Sequence, residues 1–457
     1  MDQTLPPDAL PASAPDIEFS AERAIEHLRV IATFTKDLVK SRRKRMNTTT
    51  TGSQTDDSPR KSDRLYYLDW LRVLLIVGVF LFHALHPFDA LLGWHIKNEE
   101  LSGAITAILL LIGPWGMPLF FLVAGAASMF ALRRRSNRQF ISERVTRLLI
   151  PFIVGTILLA PFQRYLEALH KGTFEGSFLS FIPEWLARST TGMRFSPGEF
   201  GDWGLHLWFL AFLFAYSLLA LPIFRWFQRD SGRSLIAWLG RLVEVRGGIL
   251  LFVIPLALIR ILVQPWDPHP NEHTWLDFIY TFLFFLLGYI IYADVRFQNA
   301  IRRDRWLLFA GGIVGLVAYG VISVVFGEVA FEWGQKFVWP WSVVLIIAFT
   351  LMSWGWALVV LYLAMKHLNF TNKWLVYGNE TIMPFYLLHQ PVIIVISFFV
   401  VQWEAGIWVK LLVVIISSFL ITLGLVELLI RPFKPIRRLF GMKSRKRKED
   451  GTEKTLA

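Results

Sequence analysis

The sequence predicts an all-α integral membrane protein, with about ten transmembrane helices in one bundle and both termini in the cytoplasm. Three observations predict it. Of 457 residues, 54% are hydrophobic and only 18% charged, and the mean hydropathy is positive, so most of the chain belongs where water is scarce. Apolar runs of spanning length recur between residues 66 and 430. The Lys and Arg between those runs are strongly biased to alternate connections.

Taken in order, residues 1–63 are polar and rich in Pro, Ser and Thr, without the apolar core and small-residue cleavage site of a signal peptide, and read as a cytoplasmic tail. Within it, Phe19–Lys44 has helical periodicity and ends in a basic run, which suits an amphipathic helix on anionic headgroups or, equally well, a solvated tail helix. A polar stretch from Met46 leads straight into the first span, so a start there is also an expectation to test. The transmembrane domain is expected over 64–440. Its spans fall at about 66–86, 104–132, 145–163, 205–224, 247–264, 275–293, 306–327, 339–365, 382–401 and 408–430. A basic cytoplasmic tail, 441–457, closes the chain. With the N-terminus inside, the cytoplasmic connections and C-terminal tail hold about twenty-six Lys and Arg against about six outside. Trp70, Trp208, Trp275, Trp306, Trp339 and Trp408 fall near predicted helix ends, where an indole stays apolar with its N–H wet. The longest outer loop, about 164–203, is expected to fold over the outer mouth.

Composition also excludes some chemistry. There is no cysteine, hence no disulfide, thiolate metal site or Cys nucleophile. The net charge of +12 sits in short stretches between apolar segments, which points to anionic lipid and topology and not to nucleic acid. Neither a nucleophile elbow, a phosphate-cradling Walker loop nor a paired metal-ligand motif occurs in the spans, so metal-free chemistry is expected.

An ionisable group in the bilayer core costs several kcal/mol unless it is paired or faces a polar cavity, so such groups are functional candidates. In the first span, YYLDWLRVLLIVGVFLFHALHP, Asp69, Arg72 and His83 interrupt an apolar helix. Arg72 and His83 are eleven residues apart, which places them on one face about 16 Å apart along the axis. Asp69 can pair with Arg72, giving the arginine a purely structural role as the alternative. His86 follows one turn after His83. By depth, His83, His206, Arg260 and His389 lie toward the outer half; Arg72, Arg144, Arg147, Glu380 and Glu427 lie toward the inner half. Glu427 and Arg431 are spaced for an interfacial ion pair. Two linked sites are expected.

The chain resembles the acyltransferase-3 family of integral membrane transferases, and within it the glucan-biosynthesis C branch, over roughly residues 64–442. The likeness rests on YLDWLRVLLIVGVFLFHALHPF, PWGMPLFFLVAGAASMFALRRR, FISERVTRLLIPFIVGTILLAPFQRYLE, HLWFLAFLFAYSLLALPIF, TIMPFYLLHQPVII and ELLIRPFKPIRRLFG, all in order. The resemblance implies transfer of an acyl group from cytoplasmic acyl-coenzyme A, a co-substrate and not a bound cofactor, to a hydroxyl of a glycan or other acceptor. It implies His83 as the catalytic histidine, Arg72 as its motif partner, and Arg144 with Arg147 as the paired arginines that meet the coenzyme phosphates, where topology alone is the competing reason for them. His206, Arg260 and His389 are candidates for the oxyanion or acceptor site on depth alone, with Asp69, Glu380 and Glu427 in support. Where many members have Ser-Gly after PLFFL, this chain has Ala124-Gly125, which removes a serine nucleophile there; Ser128 reads as a small residue at a helix interface. The expected setting is a multi-pass protein of the cell membrane. A proton-coupled transporter of a small solute or modified glycan is the competing class, and the two-half symmetry common in transporters is not evident.

Overall fold

The computed structural model describes residues 64–90, 93–190, 197–266, 273–326 and 338–442. The expected tail helix over Phe19–Lys44 and the C-terminal basic run from 443 lie outside the described residues. Among the described residues there is no strand, and ten helical segments are long and apolar enough to cross a membrane. They are Tyr66–Phe88, Gly103–Leu132, Asn137–His170, Leu205–Phe227, Gly248–Trp266, Trp275–Ala293, Arg305–Phe326, Trp341–His367, Lys373–Val400 and Ile407–Ile430, called the first to tenth spans below. The all-α, ten-span reading holds, and most limits agree to within three residues.

The third and ninth spans are longer than hydropathy suggests, because a helix does not stop where polarity begins. Ser136 caps the third, its hydroxyl accepting from Gln139 N while the Gln139 side chain returns to Ser136 N. Asn372 Oδ1 caps the ninth by accepting from Leu375 N at 2.9 Å. The third span also contains a π-helical stretch, Val145–Leu149, which shifts the direction of Arg147 relative to Arg144.

The second and sixth spans touch backbone to backbone. A Cβ on Gly125 would lie 1.9 Å from Phe285 O, and one on Gly288 1.9 Å from Leu122 O, so both positions need glycine for the helices to approach. The segment after the third span contains two helices, Phe178–Thr190 and Pro197–Gly204. Its Phe174, Phe178 and Phe181 pack on Tyr165 at the end of the third span.

An even number of spans separates residues 64 and 442, so both lie at one face of the bundle, here called the basic face. Two amphipathic helices, Asp230–Glu244 and Val295–Arg303, sit at that face, joined where Arg296 Nη2 donates to Ala237 O at 3.0 Å. Arg303 then donates to the carbonyls of Val243 and Val245, closing the end of the first of these helices.

Candidate active site

His83 stands on the last turn of the helix Tyr66–Leu85, half-buried, with Nδ1 3.0 Å from Nε2 of His389 in the ninth span. The two ring planes are 10° apart and their centroids 5.1 Å apart, an end-on arrangement for so short a contact. The ring of His206 stands perpendicular to both, 5.1 Å from His389 and 6.3 Å from His83. Thus three of the four outer-half candidates come together.

Local sequence explains how His206 arrives there. It lies in a 3-10 turn, Leu205–Leu207, and Leu205 is left-handed at φ +52°, a conformation that costs a non-glycine residue about 1–2 kcal/mol. The turn is held from the ninth span: His206 Nε2 donates to Leu387 O at 3.2 Å, and Tyr386 OH donates to His206 O. Leu387 O is available because residue 391, whose N–H would normally occupy it, is proline.

The connection 86–102 covers the cluster. His86 Nδ1 donates to Asp89 Oδ2 at 3.1 Å, and Lys97 Nζ meets the same buried carboxylate at 2.9 Å as well as the carbonyls of His86 and Asp89. Trp94 stacks on His86 with centroids 4.5 Å apart and lies 5.3 Å from His83. Next to it, His95 Nδ1 donates to Glu167 Oε2 at 2.6 Å, while Gln390 Nε2 reaches His95 Nε2 at 3.3 Å. Burial holds the His95 imidazole below its usual range, and the Glu167 carboxylate pulls the other way. Lys410 of the tenth span anchors the far end, Nζ donating to Asn98 Oδ1 at 3.0 Å and Val401 O at 2.9 Å.

Three buried polar atoms around these rings have no partner among the described residues: Trp94 Nε1, His206 Nδ1 and Gln390 Oε1. An unmet buried polar group costs about 1–3 kcal/mol, so these atoms are suited to meeting a polar ligand. Among the described residues no three His, Asp or Glu side chains are grouped as metal ligands, since the imidazole nitrogens are directed at one another and at carbonyls.

Near the basic face, Arg72 and the arginines of the third span form the second cluster. Arg72 meets Asp69 only at 3.6 Å, because Asp69 is held more closely by Arg64, at 2.7 Å. Arg147 meets Glu143 at 3.4 Å, and Arg135 also binds that carboxylate. Arg144 has no carboxylate within ion-pair distance among the described residues; Nη2 donates to Ser128 Oγ at 3.1 Å and the guanidinium lies over the Phe140 ring at 4.5 Å. Four guanidiniums therefore share two carboxylates, and Arg144 pairs with neither. The other inner-half candidates are balanced instead: Arg431 bridges Glu427 at 2.8 Å and Glu380 at 3.2 Å, and Arg437 binds Glu380 at 3.1 Å.

Arg260 does not join the histidines. Its guanidinium lies over Phe349 at 4.4 Å and Tyr280 at 4.9 Å, rings of the eighth and sixth spans. Trp94, His95, Glu167, Gln390 and Lys410 were not singled out from sequence. Lys410, a lone cation early in an apolar run, and Gln390, a polar group inside the ninth span, carried a signal; the others lie where polar residues are ordinary.

Ten spans enclosing an imidazole cluster toward one face and an under-neutralised guanidinium cluster toward the other define a multi-pass membrane protein with polar chemistry inside its bundle. The chain belongs to the acyltransferase-3 family: residues 65–427 match the family's model, described as an acyltransferase domain, and the protein is an acyl-transferring enzyme. It is similar to the glucans biosynthesis protein C of Salmonella paratyphi B and of Salmonella dublin, 23% identical over 338 residues, covering 72% of this chain and 82% of each relative. The protein of the same name from Salmonella schwarzengrund is also 23% identical, over 340 residues, with the same shares of both chains covered. No solved structure matches the chain.

Proposed function

We propose that the protein moves an acyl group, acetyl or succinyl, from cytoplasmic acyl-coenzyme A to a hydroxyl of a glycan beyond the cell membrane, with His83 as general base. The observation that carries this reading is the pair of clusters along one side of the first span. Besides Asp69 and Arg64 at its own helix start, Arg72 has Arg147 and Glu143 of the third span as charged neighbours, His83 has ring neighbours on the fourth and ninth, and those three spans meet where Gly155 packs on Leu207 and Leu387. About 16 Å of helix separates the two clusters, comparable to an extended pantetheine arm.

In this reading the basic face is cytoplasmic, the tails 1–63 and 441–457 flank a catalytic domain over 64–440, and Arg144, Arg147 and Arg72 receive the coenzyme phosphates. Guanidiniums suit this role because their planar donors match phosphate oxygens; Arg144 has no carboxylate partner among the described residues, and Arg72 and Arg147 share theirs with Arg64 and Arg135. At the other end, His83 takes the proton of the acceptor hydroxyl as its oxygen attacks the thioester carbonyl. The C–O bond forms, the C–S bond breaks, and the proton passes from His83 to the departing thiolate. The likeness to glucans biosynthesis protein C favours a glucan as acceptor.

The test is thiol release by the purified protein in lipid, supplied with succinyl- or acetyl-coenzyme A and a glucan. Glucan-dependent release is expected, reduced about 10²- to 10⁴-fold in His83→Ala with its melting temperature unchanged. Undiminished release by that variant excludes His83 as the base.

A further inference from the structure

We infer that His389 is a positioning residue that fixes which nitrogen of His83 is the base, an inference that rests on the reading of His83 just given. The assignment follows from which atoms can donate. Tyr386 O is a carbonyl and only accepts, so the His389 Nδ1 that lies 2.6 Å from it carries a proton. In a neutral ring the other nitrogen, Nε2, is then bare. His83 Nδ1 lies 3.0 Å from that bare nitrogen and must be the donor, which leaves Nε2 of His83 as its lone pair. The reverse polarity would need His389 doubly protonated, a cation in a side chain 0% exposed with no carboxylate at hydrogen-bond distance among the described residues. Burying an unpaired charge costs far more than one hydrogen bond returns.

No hydrogen bond reaches Nε2 of His83 among the described residues, so the one basic lone pair of this two-ring chain is left unoccupied on a half-buried ring 5.3 Å from that of Trp94. Phe80 and Phe385 pack on the His389 ring at 6.5 and 6.3 Å, which keeps it from rotating off the contact. When the acceptor hydroxyl gives its proton to Nε2, His83 becomes doubly protonated and its Nδ1–H stays on His389, so two rings share the charge. The Nε2 proton then leaves with the thiolate sulfur, and the starting tautomer is restored. His389 touches neither reactant; it acts through His83.

The experiment uses the full chain in lipid nanodiscs with ¹⁵N-labelled histidine, His83 being assigned by its loss in His83→Gln. A bare Nε2 and a protonated Nδ1 are expected at His83. In His389→Phe, which cannot accept, His83 should move to the Nε2–H form and kcat should fall about 10²-fold with both KM values unchanged. In His389→Gln, whose amide oxygen can accept from Nδ1, the Nε2 of His83 should stay bare and kcat should lie within about tenfold of wild type. A protonated Nε2 in the wild type overturns the inference, as does His389→Phe with unaltered tautomer and kcat. Should His389→Phe not fold, the wild-type spectrum and His389→Gln decide. Because the tautomer is read without turnover, failure here is separate from retained activity in His83→Gln, which would instead remove His83 as the base.

Discussion

Arg144 donates from Nη2 to the Oγ of Ser128 over 3.1 Å, and Ser128 donates onward to Ala124 O at 2.9 Å. A hydroxyl orients a guanidinium without neutralising it, so the whole positive charge stays available to an anion. Ser128→Ala should raise the KM for acyl-coenzyme A about fivefold with kcat unchanged, the equivalent of ~1 kcal/mol for one hydrogen bond. Ser128→Asp, which neutralises Arg144, should raise it more. Steady-state kinetics with the donor varied makes the comparison; an unchanged KM in both variants would reduce Ser128 to packing.

The balanced ion-pair network at the same face should answer differently. Arg437 is 4% exposed and holds Glu380, so Arg437→Ala strips one cation from a partly buried carboxylate. The expected result is a loss of stability on the order of 1–3 kcal/mol with donor KM unaltered. An Arg144→Ala, Arg147→Ala double variant should show the converse, a raised KM and a preserved melting temperature. Thermal unfolding in lipid nanodiscs, measured beside donor kinetics, checks the pair.

Pro391 separates helix stability from activity. Pro391→Ala supplies the missing N–H to Leu387 O, which should raise the melting temperature by restoring a helical bond, since an interior proline costs about 3 kcal/mol against alanine. His206 then competes with that N–H for Leu387 O, and kcat is expected to fall about tenfold. A variant as active as wild type would mean that one carbonyl oxygen serves both donors.

The spans and the two polar ends were legible in the sequence because length and hydropathy fix depth. Azimuth was not legible. Arg260 shares the predicted depth of His83 and His389 yet faces the sixth and eighth spans, while His83 and His389, 306 residues apart, meet at 3.0 Å. Ser128 was read as a small interface residue, which its full burial supports, but its bond to Arg144 depends on how the second and third spans turn toward each other. The connection between the first and second spans illustrates the same limit: it places Trp94 against His83 because His95 and Asn98 meet Glu167 and Lys410 on other spans and Lys97 ties the connection to its own Asp89.

His273 offers a pH test outside the spans. It stacks on Trp208 with centroids 4.2 Å apart, and burial pushes its imidazole down to about 4. Its unfolded value is about 6.5, so the unfolded chain binds more protons between pH 6.5 and 4. The contribution to stability is complete above about pH 6.5 and is lost as the pH falls through about 4. Melting temperature should therefore drop on acidification, and His273→Phe, which keeps the stack, should flatten that part of the profile. Parallel profiles for the two proteins would show that His273 takes up its proton as readily in the fold as in the unfolded chain.

His206 and His389 both terminate on peptide oxygens of neighbouring residues, 387 and 386, and not on acidic side chains. An aspartate in that place would be a standing anion that the lipid interior penalises and that would hold any cation formed beside it. A peptide oxygen aligns the rings while offering no such counter-ion. The two rings are thus aligned by dipoles alone, and the carboxylates of this end, Asp89 and Glu167, are kept for His86 and His95.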